Sequence, residues 1–388
     1  MIFINYFYKK MKYLLDLIIV SFLISSLNCS FQANIFNRMN KLKKGENLII
    51  SPLSIFQALS LATNGAKGET QSEMLDLLQA DSLDELNNIN EKILAQFKKF
   101  STIEIANAVM TKFNPLEEFA NIAKNYLSTI EPLESVEQVN NWCSNKTHGK
   151  IDKILDALSP ETLMIILNAV YFKGEWSSKF ESYFTKKLSF YNLGKEEIEI
   201  DTMTQIGHFR YYEDKKVQAI ELRFIEDYMS AIIILPNEEN DINKYIDTLS
   251  ISNDEYTKII DGLKKAKVHL QLPKFELKFK EVLNNVLNDL GMFKAFNPFE
   301  ADFTGLRTEG EIYVEQVIHK TYLKVFEDGC EAAAVTAIVM FGNGISMEEE
   351  KIYDMKVNRP FLFLLKNDIL PAGVDLVFMS KIEKIEID

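Results

Sequence analysis

Glu327–Asp328–Gly329–Cys330–Glu331–Ala332–Ala333–Ala334–Val335–Thr336–Ala337–Ile338–Val339–Met340 decides the reading of this chain. A charged, glycine-broken start leads into nine uncharged residues, the first five small or β-branched. At period two, Cys330, Ala332, Ala334, Thr336, Ile338 and Met340 fall on one uncharged face of a strand. Glu331, Ala333, Val335, Ala337 and Val339 take the other face, whose single charge can stay in water near the strand's start. After Met340 the pattern breaks into Phe341–Gly342–Asn343–Gly344, a turn-like run that a central strand would not tolerate. An ordinary buried strand or an alanine-rich helix would fit the same residues. The order of the downstream residues separates these readings. An acidic stretch, Met347–Glu348–Glu349–Glu350–Lys351, precedes Val357–Asn358–Arg359–Pro360–Phe361–Leu362–Phe363–Leu364. The opening segment therefore reads as a strand held in reserve behind an exposed tip.

In this order the chain resembles the serpins, whose hinge has the form Glu-Glu-Gly-Thr-Glu-Ala-Ala-Ala-Ala-Thr, followed by a reactive loop and an Arg-Pro-Phe-Leu-Phe strand. Asn47–Leu48–Ile49–Ile50–Ser51–Pro52–Leu53–Ser54 and Gly65–Ala66–Lys67–Gly68–Glu69–Thr70 are similar to that family's first strand-and-helix signature. Leu167–Asn168–Ala169–Val170–Tyr171–Phe172–Lys173–Gly174–Glu175–Trp176 resembles its central sheet strand. Leu272–Pro273–Lys274–Phe275, Ala301–Asp302–Phe303–Thr304–Gly305 and His319–Lys320 follow in family order, so the likeness runs from about residue 30 to residue 380. The resemblance implies an α+β serpin fold: one large mixed β-sheet plus smaller sheets, about eight or nine helices and an exposed reactive-centre loop over about 327–356. It also implies a single domain over 30–388, interleaved along the chain, which overrides the two or three domains that 388 residues would otherwise suggest.

Composition agrees with one large core: 47% of residues are hydrophobic and 26% charged, with no linker-like stretch and no internal repeat. Residues 1–29 read as a signal peptide. Lys9, Lys10 and Lys12 precede the apolar run Tyr13–Leu27, which only Asp16 interrupts and which is short of the roughly 20 residues of a membrane span. An uncleaved anchor is the alternative, and Met11 an alternative start. A secreted, extracellular protein is expected. The leader's three lysines and one aspartate carry +2 of the formal −13, leaving −15 without it. Such acidity argues against nucleic acid or an anionic membrane as partner, and the acidic Asp76–Phe100 segment against glycosaminoglycan activation. Without the leader only Cys143 and Cys330 remain, too few for a disulfide framework. Asn145–Lys146–Thr147 is an N-glycosylation sequon at the end of an expected helix, which makes a glycoprotein the expectation.

Nothing in the residues supports an enzyme. His148, His208, His269 and His319 stand outside any His-Glu-x-x-His, and there is no Cys-x-x-Cys or Gly-x-Ser-x-Gly. No metal, cofactor or catalytic residue is expected. By resemblance His319 lies beneath the main sheet with Ser51, Ser54 and Asn168, where two hydroxyls, an amide and an imidazole can satisfy one another; a merely buried histidine is the plainer alternative. By resemblance also, Glu327 and Lys274 form a salt bridge at the top of the sheet, with Trp176 packed nearby.

The family's inhibitory members are cut by a target protease, and the freed loop enters the main sheet as a strand while the acyl-enzyme is trapped. Fifteen residues at ~3.3 Å each give ~50 Å of travel. The hinge Glu327–Asp328–Gly329–Cys330–Glu331–Ala332–Ala333–Ala334–Val335–Thr336 has neither proline nor charge on the entering face, which favours inhibition by insertion of 327–342. The partner would be a serine protease, or a cysteine protease, held as a covalent complex; the native protein is expected to be a monomer. The alternative is a non-inhibitory carrier, chaperone or storage serpin. Cys330 stands where relatives usually have Thr or Ser; near the surface before cleavage, its thiol would be open to oxidation that blocks entry.

Counting by the family's hinge-to-bond distance from Glu327 places the reactive bond at Asn343–Gly344, with Met340 or Phe341 as alternatives if the register slips. N-terminal sequencing of the fragment released on complex formation should begin at Gly344. A start at Gly342 would refute the Asn343 assignment.

Overall fold

The computed structural model describes residues 31–97, 103–126, 128–226, 228–237, 241–251, 253–330, 350–370 and 373–386. Residues 1–30 and the segment 331–349 lie outside them, so the expected signal peptide and most of the expected hinge are not described.

In chain order the elements are α1 (Phe31–Leu42), β1 (Leu48–Ile50), α2 (Pro52–Gly65), α3 (Gly68–Leu78), α4 (Leu83–Phe97), β2 (Ile103–Thr111), α5 (Glu117–Asn125), β3 (Thr129–Pro132) and α6 (Val136–Lys146). Next come β4 (Met164–Phe172), β5 (Gly174–Glu175), β6 (Lys186–Asn192), β7 (Glu196–Glu213), β8 (Val217–Arg223) and β9 (Met229–Pro236). The last group is α7 (Ile242–Ile251), α8 (Asn253–Gly262), β10 (Lys264–Pro273), β11 (Phe275–Val282), α9 (Asn284–Asp289), β12 (Gln316–Phe326), β13 (Gly329–Cys330), β14 (Ile352–Lys356), β15 (Phe361–Asn367) and β16 (Leu376–Ile382). The expected α+β architecture is present, with nine helices among the described residues. None of these helices is long and apolar enough to cross a membrane.

Two sheets organise the molecule. The first has seven strands, with the order β3-β2-β4-β12 and then β11 on the far side of β12; β13 and β5 continue the order above β4. Its centre is a parallel pair, β4 and β12, in register from Gln316↔Ile165 to Tyr322↔Tyr171. Parallel neighbours need a long crossover, and here the chain between Phe172 and Gln316 supplies it. The second sheet has nine strands, β1-β16-β15-β9-β8-β7-β10-β14, with β6 also on β7. The smaller sheets expected from the sequence are thus joined into one hydrogen-bonded path. The joint is β7, whose eighteen residues pair first with β6 and later with β8, while β10 runs along its middle.

The core explains these pairings. Every residue of β9 is buried, as befits a strand covered on both faces. Every residue of α2 is buried as well, and two of its hydroxyls turn back on the helix: Ser60 Oγ donates to Phe56 O at 2.7 Å and Thr63 Oγ1 to Leu59 O at 2.8 Å. On the other face of the first sheet, Val139, Trp142 and Cys143 of α6 share an apolar cluster with Leu167 of β4 and Ile318 of β12. The central pair is therefore covered on both sides, by α2 and by α6.

Candidate functional site: the seam between β4 and β12

Asn107, Asn168 and His319 stand in one row across β2, β4 and β12, because Asn107 pairs with Asn168 and Asn168 with His319. All three are buried, and His319 is wholly inaccessible. The backbone N–H of Ser51, the N-cap of α2, donates to His319 Nε2 at 3.1 Å. Nε2 is thus an acceptor and the proton sits on Nδ1, which donates to Asn168 Oδ1 at 2.5 Å. Ser54 Oγ donates to the same Asn168 oxygen at 2.8 Å, and Asn168 Nδ2 donates to Asn107 Oδ1 at 2.5 Å. Ser51 Oγ accepts from Ser54 N at 3.4 Å, so the two serines that cap α2 also tie it to both central strands. Burial pushes the imidazole down from its ordinary 6.5 to about 3. A second ring proton would in any case point at the Ser51 donor. The four residues expected to meet here do meet. Asn107 was missed; its signal was an amide in the middle of the otherwise apolar run Ile105–Ala106–Asn107–Ala108–Val109.

A second group closes the upper end of the seam. Lys274 Nζ lies 3.0 Å from Glu327 Oε2, and Thr185 Oγ1 donates to Glu327 Oε1 at 2.8 Å. Burial works against ionisation of Glu327, but the bonds from Thr185 and Lys274 outweigh it and hold the carboxyl below its usual range. The Trp176 indole is buried, stacks on Phe224 at 4.5 Å between centroids, and donates from Nε1 to Phe326 O at 3.0 Å. Backbone bonds run from Trp176 N to Asp328 O at 2.9 Å and from Phe180 N to Glu327 O at 3.0 Å. Lys179 bridges Glu175 at 2.8 Å and Asp328 at 3.2 Å. Glu327, Lys274 and Trp176 are together as expected; Thr185 and Lys179 were missed, since neither belongs to a motif that marks the fold.

The hinge itself brings a correction. Gly329 and Cys330 are already strand: they pair with Phe326 and Val325 of β12 on one side and with Glu175 and Gly174 of β5 on the other. Cys330 is wholly buried instead of near the surface, and burial pushes its thiol well above the ordinary range. A buried neutral thiol is a poor target for oxidation, so the expected redox sensitivity is withdrawn. The sequence pattern showed which face Cys330 would take but not that this pair had already found its partners. Gly329 has φ +151°, and a Cβ on it would stand 2.0 Å from Gly174 O, so only glycine permits the seating.

Glu331, Ala332, Ala333, Ala334, Val335 and Thr336 of the hinge, and Met340, Phe341, Asn343 and Gly344 around the reactive bond, lie outside the described residues. Asn145 is exposed in the last turn of α6, while the Thr147 hydroxyl of its sequon donates to Cys143 O at 2.8 Å and accepts from Ile151 N at 3.1 Å. Cys143 is buried and unbridged. Among the described residues no group of three or more His, Cys, Asp or Glu could hold a metal ion.

Comparison with known proteins agrees with this geometry. A family model described as serpin (serine protease inhibitor) matches residues 26–383. The chain is 31% identical over 366 residues to the leukocyte elastase inhibitor of Xenopus laevis, covering 89% of this chain and 96% of that protein. Among solved structures, the thermophilic serpin tengpin in its native state superposes with a TM-score of 0.81 at 30% identity, over 92% of this chain and 93% of that one. Human thyroxine-binding globulin with bound thyroxine shares the fold, with a TM-score of 0.83 at 23% identity over 95% of this chain and all of that one.

Two outcomes are expected of this site. Below 6.5 the unfolded chain takes up a proton that native His319 refuses, so stability is fully kept above 6.5 and falls as pH drops towards 3, by at most about 1.4 kcal/mol per pH unit. Urea unfolding at about pH 7.5 and about pH 5.5 should show wild type losing roughly 1 kcal/mol more than His319→Gln on acidification; equal losses would contradict the buried neutral ring. Second, in a chain lacking residues 1–29, the two buried thiols should not react with a bulky disulfide reagent in the native state, whereas Gly329→Ala should unseat β13 and release one reactive thiol. An unreactive Gly329→Ala protein would show that the hinge is not held by this close approach.

Proposed function

Because the chain belongs to the serpin (serine protease inhibitor) family, a family of protease inhibitors and not of enzymes, we propose that it inhibits a protease as a suicide substrate. The observation that carries the reading is the hinge. Gly329 and Cys330 occupy the upper end of a seam whose lower part is closed by direct β4–β12 pairing, and they lead straight into the uncharged face Ala332, Ala334, Thr336 and Ile338.

The nucleophile of the protease attacks the Asn343 carbonyl, the Asn343–Gly344 amide breaks, and the Gly344 amine leaves, so that residues up to Asn343 stay esterified to the enzyme. The freed strand then continues what β13 has begun. Each step downward exchanges solvent-facing backbone groups for ladder hydrogen bonds with β4 and β12 and buries an apolar side chain. A native serpin holds this gain in reserve. Secretion and glycosylation at Asn145 belong to the proposal, supported by the basic and apolar character of residues 9–27 and by the exposure of Asn145.

Incubation with a panel of serine and cysteine proteases should yield a denaturant-resistant complex with the mass of the protease plus the chain through Asn343. Cleavage without any complex would favour the alternative, a non-inhibitory carrier, chaperone or storage role; human thyroxine-binding globulin, which shares the fold, binds thyroxine. In the same assay Ala334→Arg should leave cleavage intact but raise the stoichiometry of inhibition by at least about tenfold, since a buried unpaired charge costs several kcal/mol. An unchanged stoichiometry would contradict entry of that face into the sheet.

A further inference from the structure

The connector from α6 to β4, residues 147–163, meets the face of β12 and β11 that α6 covers, and lysines from all three converge there. In the sheet Lys280 stands directly opposite Lys320, Lys278 opposite Tyr322 and Glu276 opposite Lys324, and alternation puts these six on one face. The connector is fastened to them. Lys320 Nζ donates to Lys153 O, and Asp156 bridges Lys280 at 2.5 Å and Lys153 at 2.9 Å. Lys150 and Lys278 each place an ammonium 5.8 Å from the centre of the Tyr322 ring.

The charges in this group do not balance. Lys153 and Lys280 share the one carboxylate of Asp156, and Lys324 and Lys278 share that of Glu276, at 3.0 and 3.9 Å. Lys320 has no carboxylate partner among the described residues, and Asp152 is the third acid near it. Six lysines therefore stand against three carboxylates, a local excess of positive charge in a chain of formal charge −13. Like charges directly opposite on paired strands are destabilising. Burial, and after it the nearby Lys280 and Lys278, hold the Lys320 ammonium below its ordinary range. Lys278 and Lys153 are exposed, and the other four are partly so, which leaves the cations open to a ligand.

We propose that this patch binds a linear inorganic oligophosphate. Its cations form two rows, Lys280 and Lys320 with Lys153, and Lys278 with Lys150, about 7 Å apart along the strands. A chain of linked phosphates meets both rows, whereas a single phosphate meets one. Tyr322, the ring beneath Lys150 and Lys278, is only 3% exposed, so the base of a nucleotide would find no ring to stack on.

The site has a regulatory consequence, which rests on the inhibitory reading, whereas binding itself does not. α6 covers the β4–β12 seam, and the ligand would tie the connector that follows it to β11 and β12. A ligand that binds this closed arrangement more tightly than the one with a strand inserted shifts the population towards the uninserted state, by its differential affinity and no more.

Isothermal titration calorimetry of the purified protein at low salt should show saturable binding of tripolyphosphate, about tenfold tighter than inorganic phosphate and tighter than ATP. Lys278→Glu and Lys150→Glu should each weaken the tripolyphosphate midpoint about tenfold, and Lys278→Arg should keep it within about twofold. Lys265→Glu, the same change of charge at an exposed position of the other sheet, should leave it unmoved. Binding that never saturates, equal midpoints for phosphate and tripolyphosphate, tighter binding of ATP, or equal weakening by Lys278→Glu and Lys265→Glu would overturn the site. Calorimetry reads binding alone: if no protease is trapped but tripolyphosphate still saturates, the inhibitory reading has failed and the site stands. If proteases are trapped but binding is not saturable, the reverse holds. Where both stand, tripolyphosphate should raise the stoichiometry of inhibition for wild type and not for Lys278→Glu; an unchanged wild type would overturn the consequence for the seam.

Discussion

The hydrogen bond from His319 Nδ1 to Asn168 Oδ1 joins the side chains of β12 and β4, and the rest of the structure depends on the seam it crosses. Parallel strands drawn from distant parts of a chain are held by slanted backbone bonds and by what covers their faces. Here α2 covers one face through Ser51 and Ser54, and α6 covers the other through its apolar residues. Parting the strands would strand a neutral imidazole, an amide oxygen and a hydroxyl in a place without water, at about 1–3 kcal/mol for each group left unsatisfied. A strand entering the seam restores the backbone ladder it interrupts. The polar row makes the seam costly to open without a replacement strand, as the proposed inhibitory reading requires.

The upper end of the seam is built on another principle. No direct β4–β12 pairing is seen above Tyr322; β12 turns back through Glu327 and Asp328, and β13 fills the space up to β5. The turn is held by an ion pair, a hydroxyl, the Trp176 indole and two backbone bonds, almost all of them from residues before β6. Opening there is therefore a local matter of one turn, and each further step downward must displace pairs of the central register. That graded arrangement gives the hinge a starting point without committing the sheet.

Much of this was legible in the sequence, and the failures have physical causes. Ser51, Ser54, Asn168 and His319, and likewise Lys274, Glu327 and Trp176, were grouped correctly because each stands in a motif whose order along the chain marks the fold. Asn107 and Thr185 were not, because only the register of β2 on β4 and the path of the chain before β6 bring them in. Cys330 was assigned the right face and the wrong exposure: side-chain alternation fixes orientation, whereas burial depends on Gly174 and Glu175 arriving from far earlier in the chain.

The central claim is that a closed β4–β12 seam holds back a strand whose insertion would lower the free energy of the molecule. It is tested most directly by nicking the loop between residues 341 and 349 with a protease that forms no complex, and comparing the melting temperatures of the intact and nicked proteins by calorimetry. The account predicts a large rise on nicking, because the freed strand completes the ladder and buries its apolar face. An unchanged or lowered melting temperature would contradict it, since the seam would then hold nothing in reserve.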